Sequence, residues 1–185
     1  MGNLKFKRRR EFKTNYRKRV KIVKGMMKRI VVRRTNRQII AQVVQYKGNG
    51  DLILSQLNSK ALNSLGWPSR PNRPTAYLLG TLLAKKIKEK SISGPFILDI
   101  GLNTPSKNSI PFVLGKALKD EGIDIRMNME VDEELAKGKK IEEYAKKLKE
   151  SEPEKYKRLF SKYIEEGKEP VFLSQLFEEV RKKIG

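Results

Sequence analysis

The segment from Arg29 to Leu57 constrains the fold more than any other part of this sequence. Its residues, RIVVRRTNRQIIAQVVQYKGNGDLILSQL, are mostly β-branched, aliphatic and amide side chains, which favour strands. Two turn signals interrupt it: Thr35-Asn36, where asparagine tolerates a left-handed backbone, and the glycine-containing stretch from Lys47 to Asp51. The segment therefore predicts three antiparallel strands in a meander.

Helices and one more strand are predicted after the meander. A short helix turns through Gly66-Trp67-Pro68, and a longer helix starts near Asn72 with Pro74 in its first turn. The apolar run from Pro95 to Ile100 follows this helix as a parallel crossover strand would, and a helix from about Ser109 to Glu121 comes next. The predicted fold class is α/β, with a mixed β-sheet of about four strands, an antiparallel meander plus one parallel strand, packed with helices.

The last third of the chain is predicted to be helical, because apolar residues recur there at helical spacing. The residues Ser151 to Glu154, SEPE, match a capping box. Three units are expected: a basic N-terminal arm and helix in residues 1–27, an α/β domain in 28–127, and a helical C-terminal extension in 128–185. The sequence leaves open whether the extension packs on itself, on the sheet domain, or on RNA and protein neighbours.

Charge is distributed very unevenly along the chain. The whole sequence has 42 Lys and Arg against 21 Asp and Glu, a net charge of +21. Residues 1–37 contain 16 cations and one acid, residues 38–127 carry a net charge of +6, and residues 128–185 are neutral. This excess is far above what solubility requires, so a polyanionic partner is expected on the N-terminal side.

The most basic stretch, KFKRRREFKTNYRKRVKIVKG, runs from Lys5 to Gly25 and contains eleven cations. Its first half has no apolar period and is predicted to stay extended until it meets phosphate. Thr14 is predicted to cap a helix whose apolar stripe, formed by Tyr16, Val20, Val23 and Met27, docks on the fold. The alternative is a solvated charged tail.

Two further groups of residues are candidates for contacts with a polyanion. Arg33, Arg34 and Arg37 bracket the first turn of the meander, and a planar guanidinium suits phosphates and base edges. The loop with Trp67, Arg70, Asn72 and Arg73 precedes a helix N-terminus, whose free amides favour an anion. For Trp67, packing in the core is the open alternative.

Enzymatic and membrane functions are disfavoured. The chain has no cysteine and no histidine, which removes thiolate metal sites and the commonest general base. Asp99, at the end of a predicted strand, has no second ligand at motif spacing, so a metal-dependent nuclease is only a remote alternative. The longest apolar run, Ala76 to Ala84, is too short for a bilayer. We expect a cytoplasmic, unprocessed chain with no cofactor, metal, catalytic residue, small-molecule substrate or membrane contact.

Several motifs, in order along the chain, carry a resemblance to a known family. RRREFKTNYRKRV, RIVVRRTNRQIIAQVV, LGWPSRPNRPTAYLLGTLLAKK and LDIGLNTPSK together resemble the archaeal form of large-subunit ribosomal protein eighteen, which binds 5S rRNA. YKRLFSKYIEEG and the helix after it resemble the C-terminal extension of its eukaryotic counterpart, large-subunit protein five. The resemblance covers nearly the whole chain.

The resemblance implies a structural protein of the large ribosomal subunit that attaches 5S rRNA at the central protuberance. It also implies contacts with the large rRNA and with neighbouring ribosomal proteins, and no catalysis. The loop GLNTPSKNSI is less basic than the family pattern, which weakens the case for contacts by Asn103, Ser106 and Lys107. A general nucleic-acid-binding protein without 5S specificity is the alternative. The candidate RNA-binding residues are Lys5, Lys7, Arg8, Arg9, Arg10, Phe12, Lys13, Tyr16, Arg17, Lys18, Arg19, Arg33, Arg34, Asn36, Arg37, Trp67, Arg70, Asn72 and Arg73.

Overall fold

A five-stranded mixed sheet is the centre of the fold in a computed structural model, which describes residues 4–185. Residues 1–3, the start of the predicted arm, lie outside the described residues. The strands are β1 (Lys28–Arg34), β2 (Ile39–Tyr46), β3 (Asp51–Asn58), β4 (Phe96–Asp99) and β5 (Ile125–Arg126), and their spatial order is β3-β2-β1-β4-β5.

The strand pairing confirms the α/β class and the antiparallel meander. β1 pairs with β2 and β2 with β3 in antiparallel orientation, whereas β4 is parallel to both β1 and β5. The sequence predicted about four strands and missed β5. This strand has only two residues, too few for any periodic pattern to show in the sequence.

Nine helices surround the sheet in residues 4–185. They are α1 (Lys7–Arg10), α2 (Tyr16–Lys24), α3 (Arg73–Glu89), α4 (Ile110–Asp120), α5 (Glu133–Lys137), α6 (Lys139–Ser151), α7 (Pro153–Leu159), α8 (Ser161–Glu165) and α9 (Leu173–Ile184), with 3-10 turns at Ser59–Leu65 and Pro170–Phe172. The predicted start of α3 is confirmed, because Asn72 Oδ1 accepts a hydrogen bond from the Thr75 amide at 3.1 Å. Within the described part of the chain, no helix has the length and apolarity to cross a bilayer.

The two faces of the sheet carry different side chains. On one face Ile30 and Val32 of β1 join the hydrophobic core, and α3 and α4 cover them. On the other face Arg29, Val31 and Arg33 lie toward α2 and the arm. Because successive residues of a strand point to opposite faces, β1 supplies both the core and the charged surface.

Helices α3 and α4 approach each other closely at a glycine. A Cβ atom on Gly80 would lie 2.7 Å from both Ala117 Cβ and Leu114 O. Only the absence of a side chain permits this distance, so Gly80 sets how tightly α4 packs on α3.

The C-terminal extension packs on the sheet domain, which is one of the alternatives that the sequence left open. Phe177 of α9 is fully buried, and its ring centroid lies 6.2 Å from that of Trp67 and 5.5 Å from that of Tyr77. Lys85 Nζ also donates a hydrogen bond to the carbonyl of Ile184 at 2.8 Å. One continuous hydrophobic cluster therefore includes residues of the sheet, α3, α4 and the extension.

One local signal predicted in the extension is wrong. Ser151 does not cap a new helix, because it is the last residue of α6 and its hydroxyl donates to the carbonyl of Lys147 at 2.8 Å. Helix α7 instead begins after Glu152 with Pro153 at its first position and has no side-chain cap. The proline favours a helix start here, because its fixed φ angle suits that position and its missing N–H needs no partner.

Candidate nucleic-acid interface

The basic arm has more local structure than its sequence predicts. Lys7 to Arg10 form one helical turn, where an extended segment was predicted. Two contacts hold this turn near α2: the rings of Phe6 and Tyr16 lie 5.2 Å apart, and Arg8 Nε donates to Thr14 Oγ1 at 2.9 Å. Phe6 and Arg8 lie in a stretch with no apolar period, so periodicity gave no sign of these contacts and the prediction missed the turn.

Helix α2 begins one residue later than predicted. Asn15, and not Thr14, is its N-cap, and the Asn15 side chain accepts a hydrogen bond from the Lys18 amide at 3.2 Å. Thr14 was a wrong choice because its hydroxyl accepts the hydrogen bond from Arg8. The capped first turn keeps Arg17 and Lys18 at the exposed start of the helix.

The docking stripe predicted for α2 is wrong at Val20, which is 61% exposed. The helix instead turns Arg19 and Ile22 toward the sheet. Arg19 Nη2 makes an ion pair with Asp51 Oδ2 at 2.8 Å, and Asp51 is the first residue of β3. A pairing across 32 residues is invisible to helical periodicity, and it decides which face of α2 meets the sheet.

Most cations of the basic segment have no acidic partner. Of the eleven between Lys5 and Lys24, two form ion pairs in residues 4–185, namely Lys13 with Glu11 and Arg19 with Asp51. The other nine, Lys5, Lys7, Arg8, Arg9, Arg10, Arg17, Lys18, Lys21 and Lys24, are exposed to solvent in the described structure. Phe12 is 85% exposed beside them. This surface therefore presents free positive charge and an aromatic face together.

A cleft of about 400 Å³ separates the arm and α2 from the sheet. We call it the arm cleft and define it by six of its lining residues, Arg8, Lys18, Arg29, Arg33, Arg34 and Asn103. The cleft brings predicted contact residues from the arm, from α2 and from β1 to one place. A phosphate chain entering it would meet cations on both walls.

Two carboxylates at the floor of the arm cleft are neutralised by arginines. Buried Arg29 places Nη1 3.2 Å from Asp99 Oδ2 and Nη2 2.5 Å from Asp51 Oδ1. Arg33 Nη2 lies 3.0 Å from Asp99 Oδ1, which also accepts the Gly101 amide at 2.9 Å. Asp99 therefore links the end of β4 to two arginines of the neighbouring strand β1. The described residues contain no cluster of carboxylates that could hold a metal ion.

Arg29 and Asp51 are the two residues of this region that the sequence prediction missed. Arg29 could have been noticed as a charged residue in a predicted strand, in which Ile30 and Val32 are apolar and buried. A buried arginine requires a nearby carboxylate, because an unpaired buried charge is very costly. To identify Asp51 as that carboxylate, one would have to know the pairing that places β3 beside β2 and β2 beside β1.

The turn between β1 and β2 projects Arg34, Asn36 and Arg37 into solvent. The predicted turn at Thr35-Asn36 is confirmed, although Asn36 does not use the left-handed backbone that it tolerates. Thr35 closes the turn instead: its amide donates to the Gln38 carbonyl at 2.9 Å, and its hydroxyl accepts from the Gln38 amide at 3.0 Å. All three projecting side chains remain available to a partner, whereas the Arg33 guanidinium is occupied by Asp99.

The loop before α3 is occupied by the fold itself. Trp67 is 1% exposed, and its Nε1 donates to Thr75 Oγ1 at 2.8 Å, so its ring cannot stack on a base. The structure therefore corrects its predicted RNA contact and supports the packing alternative. Trp67 was misassigned because its partner Phe177 is 110 residues away in sequence.

Arg70 and Asn72 of the same loop contact the C-terminal extension. Arg70 Nη2 lies 2.6 Å from Glu166 Oε1, and Asn72 Nδ2 donates to the Tyr163 hydroxyl at 3.0 Å. Burial raises the pKa of Tyr163. Arg73 faces another cleft, where its Nε donates to the Asn108 carbonyl at 2.8 Å. The structure thus brings the arm, α2 and the β1-β2 turn together and separates Arg70 from them.

The chain is similar to known proteins of the large ribosomal subunit. The family model described as "Ribosomal large subunit proteins 60S L5, and 50S L18" matches residues 3–95. The protein "Large ribosomal subunit protein uL18" of Korarchaeum cryptofilum is 40% identical over 184 residues, which cover 98% of this chain and 93% of that protein. The match therefore extends through the C-terminal extension.

Proposed function

Since the chain belongs to the family of ribosomal large-subunit proteins 60S L5 and 50S L18, it is a structural ribosomal protein and not an enzyme, and we propose that it binds 5S rRNA. Its partners are ribosomal RNA and other ribosomal proteins. In the proposed role it attaches 5S rRNA to the subunit at the central protuberance and also contacts the large rRNA. The interface consists of the arm, α2, the arm cleft and the β1-β2 turn.

The choice of this surface rests on its many unpaired cations. Nine cations of the segment Lys5 to Lys24 have no carboxylate partner in residues 4–185, and two of them, Arg8 and Lys18, line a cleft whose own carboxylates are already paired. Each cation that meets a phosphate releases a condensed counterion, which is the main source of affinity for RNA. The neutral C-terminal extension has far more of its charges paired with one another.

Charge alone does not select one RNA, so selectivity must come from other groups on this surface. Sequence-specific proteins recognise unpaired bases by stacking and by hydrogen bonds to base edges. Phe12, exposed beside the cations, offers a stacking face, and Asn36 with Arg37 offers polar groups at the tip of a rigid turn. These side chains fit the loops and bulges of a folded RNA better than a uniform duplex.

The first prediction is that 5S rRNA is the preferred ligand. Labelled 5S rRNA bound to the purified chain should resist an excess of unrelated RNA of equal length and of duplex DNA, whereas unlabelled 5S rRNA should displace it. Affinities are to be measured at one fixed salt concentration, because phosphate contacts depend steeply on salt. Equal competition by all three nucleic acids would favour the alternative of a general nucleic-acid-binding protein.

The second prediction concerns Phe12. Its replacement by alanine should weaken 5S rRNA binding by about 1–3 kcal/mol, the usual contribution of one stacked base, and should leave the salt slope unchanged. Phe172 provides the matched control, because it is a phenylalanine with 52% exposure in the extension. Equal affinities of the two alanine variants would show that Phe12 does not stack on the RNA.

A further inference from the structure

A second cleft, of about 480 Å³, lies where the sheet domain meets the C-terminal extension. We call it the seam cleft and define it by six of its lining residues, Arg34, Asn72, Arg73, Asn103, Lys107 and Lys140. Four of the six are cations, and they come from β1, α3, the loop after β4 and α6. No carboxylate lines the cleft in the described part of the chain.

The cations of the seam cleft are free to meet an anion. Arg34, Lys107 and Lys140 are exposed, and none of them forms an ion pair within residues 4–185. Arg73 is oriented by its hydrogen bond to the Asn108 carbonyl. Four positive charges around one cavity repel one another, and a bound polyanion removes that repulsion.

The backbone around the seam cleft adds to its positive potential. Helices α4 and α6 both begin there, and neither has a side chain that caps its first-turn amides. Gly138 precedes α6 with φ 91°, and a Cβ atom at this position would lie 2.7 Å from Pro74 Cγ. The positive end of a helix dipole favours phosphate, although here the dipoles of α4 and α6 only supplement the four side-chain charges.

The seam cleft is continuous with the arm cleft. Arg34 and Asn103 line both cavities, so an RNA backbone lying in the arm cleft can pass over Arg34 into the seam. A flexible free anion would need only one of the two clefts, whereas a phosphate chain uses both. The two shared lining residues therefore favour an RNA backbone over a small free anion.

We propose that the seam cleft binds phosphates of the RNA backbone, and that the C-terminal extension contributes Lys140 to this contact. The inference rests on the proposed function for the identity of the RNA. It extends the RNA surface beyond the arm and the β1-β2 turn to the extension, whose net charge of zero gives no sign of such a role. It also gives Arg73 and Lys107 a common ligand.

The third prediction tests this proposal with the full chain and 5S rRNA across a salt series. Changing Lys107 and Lys140 together to alanine should lower affinity about tenfold and reduce the salt slope by about 1.4 to 1.8, the value for two phosphate contacts. The control changes Lys147 and Lys157, two exposed lysines of the extension outside the cleft, to alanine, and should alter affinity less than twofold. A Lys107→Arg and Lys140→Arg variant should bind like the wild type.

Its outcomes separate this proposal from the proposed function. The inference is overturned when the cleft variant and the Lys147, Lys157 control show the same slope. It is also overturned when the arginine variant binds as poorly as the alanine variant. A wild-type chain that does not prefer 5S rRNA over unrelated RNA contradicts the proposed function instead. All four lysines are exposed, so thermal unfolding of the variants should match that of the wild type.

Discussion

Phe177→Ala should lower the free energy of unfolding by about 3–5 kcal/mol, the usual cost of removing a buried phenylalanine. Phe177 has no exposed surface and contacts the rings of Trp67 and Tyr77. Its loss would leave a cavity between α3 and α9 and weaken the docking of the extension. Urea unfolding followed by circular dichroism measures the effect.

The exposed Phe172 gives the matched control for this experiment. Phe172→Ala should change the free energy of unfolding by about 0.5 kcal/mol or less, because an exposed side chain loses little burial. Similar losses for the two variants would show that the extension is not held by the Phe177 contact. A large loss for Phe177→Ala alone would identify this contact as the main link between the extension and the sheet domain.

The sequence predicted the secondary structure of the extension but not its packing partners. Its apolar residues at helical spacing correctly predicted helices that need a surface to cover, but not which surface. The partners Trp67 and Tyr77 lie in or near α3, about 100 residues earlier in the chain. Removal of residues 128–185 would uncover these aromatic rings, so the extension supports the folding of the domain as well as its contacts.

The meander was predictable and the orientation of α2 was not, for a physical reason. β-branched residues between two turn signals determine strand formation locally, and the pairing confirmed that prediction. Helix α2 has apolar residues on more than one face, and its contact with the sheet depends on the Arg19–Asp51 ion pair. Periodicity measures only apolar spacing, so it selected Val20 in place of Ile22.

For the candidate interface, too, the sequence predicted the free cations but not which arginines form internal ion pairs. The uneven charge of the first 37 residues predicted where free cations would lie, since 16 cations share this segment with a single acid and can be paired only by carboxylates from distant parts of the chain. Which arginines form internal ion pairs depends on carboxylates that are distant in the sequence. Arg29 and Arg33 are bound to Asp99, and only the arrangement of β1 beside β4 reveals this.

Deleting residues 1–13 should reduce the salt slope of 5S rRNA binding by about 3 and the affinity by about two orders of magnitude. The deleted piece contains six cations, Lys5, Lys7, Arg8, Arg9, Arg10 and Lys13, and one acid, Glu11. If about four of these cations neutralise phosphates, counterion release gives a slope change of this size. Arg17, Lys18 and the β1-β2 turn remain, so part of the binding should persist. The measurement is RNA affinity across a salt series.

The same deletion should leave the sheet folded, because α1 has no buried residue and α2 keeps its ion pair with Asp51. A control variant that loses the same net charge of five separates local contacts from the overall field. It changes to glutamine five lysines that are exposed and form no ion pair in residues 4–185: Lys119, Lys147, Lys157, Lys182 and Lys183. We expect its slope to fall by less than 1, because a distant charge acts only through a screened field. Equal slopes for the deletion and this control would show that the arm acts through net charge and that its cations do not contact the RNA.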